Sequence, residues 1–92
     1  MIQTLAQLVA LESPSRAPSA VNILGETLTR SFEALGAQVE RLPQTAYGDH
    51  LRATWGQGEG QVLLLAHMDT VWALGETERR PFHIEGNRAT GP

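Results

Sequence analysis

The sequence predicts an α/β fold in which two amino-terminal helices pack on a mixed β-sheet. Three observations predict it. Apolar residues recur at helical spacing twice before residue 36. Period-two alternation replaces that spacing between residues 37 and 55. Then five consecutive apolar residues, Val62 to Ala66, run into His67, Met68 and Asp69. A short apolar run bounded by turn residues reads as a strand buried on both faces.

In chain order, Ile2, Leu5, Leu8 and Val9 lie on one face of a helix over residues 2 to about 11. Pro14 stops it, because proline disfavours helix in the residue before it. A second helix starts near Pro18 or Ser19. Val21, Leu24, Leu28, Phe32 and Leu35 form its apolar stripe, and Gly36 supplies the stop. Gly25 within it costs up to about 1 kcal/mol against alanine, and close packing on the sheet would account for it. Residues 37 to 42 read as a strand with weak alternation. In 49 to 55, Leu51, Ala53 and Trp55 share one face, with His50, Arg52 and Thr54 on the other. Gly56 to Gly60 turns the chain into the central strand; its G-x-G leads into a strand, not a helix, so the dinucleotide-binding context fails. A loop follows Asp69 through Thr70, Trp72, Gly75 and Arg80. Pro81 opens a short strand with Phe82 and Ile84 alternating, and Gly86-Asn87 is a tight-turn signal. Thr90 to Pro92 reads as loop. No helix follows the central strand, so the sequence predicts a covering layer that it does not contain.

Composition narrows the function. All seven basic residues are scattered arginines and the formal net charge is -3, which argues against a nucleic-acid surface. There is no cysteine, hence no disulfide framework, cysteine-ligated zinc or thiol nucleophile. The start has no basic region followed by a long apolar core, so no signal peptide is read and a cytoplasmic location is expected. No run approaches the roughly 20 apolar residues of a membrane span.

His67 and Asp69 are the candidate site. Two residues apart in an extended chain they face together, with Met68 facing away. They stand at the carboxyl end of the expected central strand, where open α/β sheets place ligands. An imidazole and a carboxylate in that relation suit a metal ligand and its orienter, or a base and its orienter. His50 and His83 fall on polar faces and read as surface histidines. Ser13 and Ser15 lack a G-x-S-x-G elbow and read as helix-stopping residues. Arg79-Arg80 reads as a solvated pair, and Trp72 as either pocket or loop packing.

The stretch L-L-L-A-H-M-D-T-V, followed by Gly75 and then P-F-H-I-E-G-N-R-A-T-G-P, resembles the amino-terminal part of the zinc-dependent exopeptidase family. That family holds glutamate carboxypeptidases, acetylornithine deacetylase and succinyl-diaminopimelate desuccinylase. The early S-P-S and the G-D-H-L-R-A-T-W-G before the central strand also fit, so the resemblance covers essentially the whole chain. It looks closer to the glutamate carboxypeptidase branch. The resemblance implies that residues 1-92 are the amino-terminal portion of a metallopeptidase catalytic domain, truncated before the bridging-aspartate motif. It makes His67 a ligand of one zinc in a two-zinc site and Asp69 the catalytic-site carboxylate that orients His67. The parent's substrate would be a small peptide or N-acyl amino acid, with neither nucleic acid nor membrane as partner. The family's glutamate base, its remaining ligands and its dimerisation domain are absent from these residues. The parent is therefore expected to be an active hydrolase and the isolated chain inactive. A non-catalytic α/β interaction module that keeps the scaffold is the alternative.

Overall fold

The structure, a computed structural model, describes all 92 residues. Helix α1 spans Ile2–Ala10 and α2 spans Pro18–Ala34. Strands β1 (Gln38–Leu42) and β2 (His50–Thr54) form one antiparallel pair. A single turn of helix, α3 (Glu76–Arg79), precedes a second antiparallel pair, β3 (His83–Glu85) and β4 (Arg88–Thr90). The α/β class and both amino-terminal helices match the expectation. No helix is long and apolar enough to cross a membrane.

The centre of the packing is α2 on the first hairpin. Val21, Leu24 and Gly25 on one face of α2 are buried, facing the half-buried Val39, Leu51 and Ala53. Proline in the first turn of α2 needs no partner for its missing N–H. Gly36, at φ 85°, takes the left-handed conformation that ends the helix. The strand register places Glu40 opposite Arg52 on the solvent face, where the two form an ion pair. Phe32 and Trp55 meet edge to face at 5.4 Å, and the Trp55 indole N–H donates to the carbonyl of Leu35. The loop before β2 is seated on α2. The main-chain N–H of Asp49 donates to Asn22 Oδ1 at 2.8 Å, and Gly48 is buried against Val21.

Three expectations at the level of single elements change. The central strand over Val62 to Ala66 does not form: the segment pairs with nothing, and Val62 to Leu65 are 79 to 89% exposed. An apolar run becomes a buried strand only where neighbouring strands and covering layers exist, and these residues supply neither. The sheet is consequently not one mixed sheet but two antiparallel pairs, with a single parallel bridge between Pro14 and Thr70. Thr90, read as the start of a loop, instead pairs with His83 as the last residue of β4, across a two-residue turn in which Gly86 has φ 60°. Positive φ at the first turn residue alone is the type II′ pattern, whose twist suits a hairpin.

The result is open. The accessible surface is 7558 Å², against about 5,200 Å² for a compact folded chain of this mass. The radius of gyration is 14.7 Å, against about 12 Å for a compact domain of this length.

Candidate functional site

The site lies where the S-P-S segment meets the end of the apolar run. Pro14 bridges Thr70 in parallel: Thr70 N–H donates to Ser13 O at 2.7 Å and Ser15 N–H donates to Thr70 O at 3.0 Å. Proline is tolerated at the bridge because its neighbours make both bonds and no N–H is required of it. Both serine hydroxyls point to the same segment. Ser13, 2% exposed, donates to the carbonyl of Met68 at 2.8 Å. Ser15 Oγ donates to Asp69 Oδ2 at 2.5 Å and lies 3.2 Å from the carbonyl of Thr70.

His67 and Asp69 face together and Met68 faces away, as the extended spacing requires. Met68 lies over α2 beside Gly25, near Leu51. His67 Nδ1 is 2.8 Å from the main-chain carbonyl oxygen of Asp69 and 3.4 Å from its carboxylate Oδ1. A carbonyl oxygen only accepts, so in the neutral ring Nδ1 carries the hydrogen and Nε2 keeps the lone pair. The imidazole is exposed. The Ser15 hydroxyl holds the Asp69 carboxyl below the usual carboxylate range, against a smaller opposing effect of burial and with help from its own main chain and His67.

Ser15, His67, Asp69, Thr70, Val71 and Trp72 line an open depression of about 310 Å³. Its outer wall is fixed from a distance. Both carboxylate oxygens of Glu12 accept at the start of α3: Oε2 from Gly75 N–H at 2.9 Å, Oε1 from the N–H and hydroxyl of Thr77 at 3.0 Å each. These donors, the main chain of Thr77 foremost, lower the Glu12 carboxyl. Glu76 then pairs with Arg80 at 2.8 Å, and the Arg80 guanidinium stacks 4.8 Å over the Trp72 ring. Trp72 thus both lines the depression and packs within the loop. Arg79 is exposed and 3.8 Å from Glu76. His50 and His83 are on the surface.

No three His, Asp, Glu or Cys side chains converge on one point. A zinc centre takes about three protein ligands, and the bare Nε2 of His67 is a single donor. The 92 residues on their own therefore do not fit a complete zinc site, and no hydrolytic step is assigned to them.

Sequence reasoning missed two residues that build this region, Ser15 and Glu12. Each acts across more than 50 residues of chain, and no local spacing signals such a contact.

No protein-family model matches the sequence. Carboxypeptidase G2 of Pseudomonas sp. (strain RS-16) is 33% identical over 95 residues. The match takes in all of this chain and 23% of the relative, so the chain spans about a quarter of that protein's length. The similarity supports a carboxypeptidase-like relationship for this chain at the level of the family.

Proposed function

We propose that these 92 residues are the amino-terminal part of a metal-dependent hydrolase of the glutamate carboxypeptidase type, cleaving a peptide or N-acyl amide bond. One observation carries the reading. His67 has Nδ1 committed to Asp69 and Nε2 bare at the rim of a depression, on a chain whose whole length aligns with a carboxypeptidase. In this reading His67 contributes one zinc ligand and Asp69 sets its orientation. The other ligands, the general base and any dimerisation domain belong to residues outside these 92. The substrate would be a small peptide or an N-acyl amino acid.

Inactivity of the isolated chain follows from the single donor. Purified chain incubated with zinc and an N-acyl glutamate is expected to give no turnover above buffer. Zinc-dependent hydrolysis abolished by His67→Ala would overturn the assignment of the remaining machinery to other residues. Reading the coding sequence beyond codon 92 checks the parent directly. A G-x-x-D turn followed later by paired glutamates is the expected result, and an authentic stop codon at position 93 would favour a non-catalytic module.

A further inference from the structure

His67 is an exposed ring whose only partners are the two acceptors of Asp69. Its tautomer is therefore decided by how firmly Asp69 is held. The main chain of Asp69 sits between Met68, whose carbonyl is gripped by Ser13, and Thr70, which is bridged to Pro14. Its side chain is held first by Ser15, with its own main-chain N–H and the His67 ring adding to that hold. The Ser15 hydroxyl has one hydrogen to give. Of its two acceptors, the carboxylate at 2.5 Å is nearer than the Thr70 carbonyl at 3.2 Å, and a charged acceptor makes the stronger bond. With Oδ2 occupied by Ser15, Oδ1 is turned to the ring at 3.4 Å, beside the carbonyl at 2.8 Å. Two acceptors on the Nδ1 side favour a hydrogen there and leave Nε2 bare.

We propose that Ser15 is a positioning residue: by anchoring Asp69 it keeps His67 in the Nδ1–H form, with Nε2 presented to an electrophile in the depression. The proposal rests on the reading of His67 as a ligand, and it assigns no chemistry to the Ser15 oxygen itself. Ser13 is the contrasting residue. It is equally tied to the segment, but it touches a main-chain carbonyl and not the carboxylate.

The test is nitrogen NMR of the histidine rings in the 92-residue chain, at a pH well above the ordinary imidazole range so that the rings are neutral. His50 and His83, both exposed, serve as internal references. His67 is expected to be mainly Nδ1–H while His50 and His83 show the mixture of free imidazole. Ser15→Ala should move His67 toward the reference ratio, short of it because the Asp69 carbonyl stays beside Nδ1, Ser15→Thr should restore it, and Ser13→Ala should leave it in place. A wild-type His67 already at the reference ratio overturns the proposal. So does a Ser15→Ala ring that does not move, or a Ser13→Ala ring that moves as far, since that marks general loosening. Zinc titration separates this from the ligand reading. A tautomer shift in Ser15→Ala without any zinc response at Nε2 sustains the positioning role and removes the ligand role. A zinc response at Nε2 with no tautomer shift in Ser15→Ala sustains the ligand role and removes the positioning role.

Discussion

Ser15 and Asp69, 54 positions apart, are joined by a hydrogen bond of 2.5 Å from hydroxyl to carboxylate. It closes the chain from the first helix stop to the end of the apolar run. It also works against acid. A carboxyl lowered on folding contributes stability that is complete above its ordinary value of 3.8 and is lost as pH falls through the depressed value. Ser15→Ala is expected to cost about 1 kcal/mol at neutral pH, below the roughly 1.5 to 3 kcal/mol of a buried bond to a charged group because the carboxylate is partly exposed. In the same variant the Asp69 carboxyl should rise toward 3.8. Urea unfolding at neutral and acid pH checks the first, and carbon NMR titration of Asp69 checks the second. A variant whose neutral-pH midpoint and Asp69 titration both match wild type would contradict the account.

Glu12 does for α3 what the sequence of α3 does not do for itself. A single helical turn is not stable alone, and its free N–H groups need acceptors. Gly75 offers no side chain, so the acceptors come from Glu12, two residues past α1. The Glu12 carboxyl is lowered from 4.5. Its grip is thus complete above that pH and is lost as pH falls through the lowered value. Protection of the Gly75 and Thr77 amides, taken against the intrinsic exchange rate at each pH, should fall in acid in the wild type. In Glu12→Ala it should be low at every pH, with Trp72 fluorescence losing its acid transition. Equal protection in both proteins at every pH would remove Glu12 from this role.

Two glycines predict opposite outcomes. At Gly25 an added Cβ would lie 3.7 Å from Leu51 Cδ1 and 3.9 Å from Met68 Cε, ordinary contact distances. Gly25→Ala should therefore keep the fold and gain up to about 1 kcal/mol of helix propensity. At Gly48 an added Cβ would stand 2.3 Å from Val21 Cγ1, and Val21 is among the few buried side chains. Gly48→Ala should lose about 1 to 3 kcal/mol by overpacking. Thermal unfolding of the two variants beside wild type tests the pair, and equal shifts of the same sign would refute the packing of α2 on the first hairpin.

Legibility tracks locality. Helices α1 and α2 were readable because their apolar spacing repeats within the element, and the hairpin turn at Gly86 because its chemistry is contained in two residues. The class followed from those. Val62 to Ala66 reads as a strand from composition, yet a strand is a relation between segments, and composition does not name the partner. The same limit hides the Ser15 contact and the Glu12 cap. Of the site itself, the shared face of His67 and Asp69 was legible from the period of an extended chain. Which acceptor of Asp69 takes the Nδ1 hydrogen was not.

The unpaired run carries the last prediction. Val62, Leu63, Leu64 and Leu65 are 79 to 89% exposed, and Val71 and Leu74 nearby are 93% and 62% exposed. No charge falls between Gly60 and Ala66, so nothing repels a second strand. The surface in excess of a compact chain, about 2,300 Å², is comparable with the 1,200–2,000 Å² that a stable interface buries in total. The isolated chain should therefore self-associate with rising concentration, and its thermal transition should be broad. Val62→Lys with Leu64→Lys places two charges on one face of the run and should return the chain to a monomer without altering α2 or the first hairpin. Light scattering across a concentration series measures this. A wild-type chain that stays monomeric at high concentration with a sharp, cooperative transition would mean that the run finds cover within these 92 residues after all.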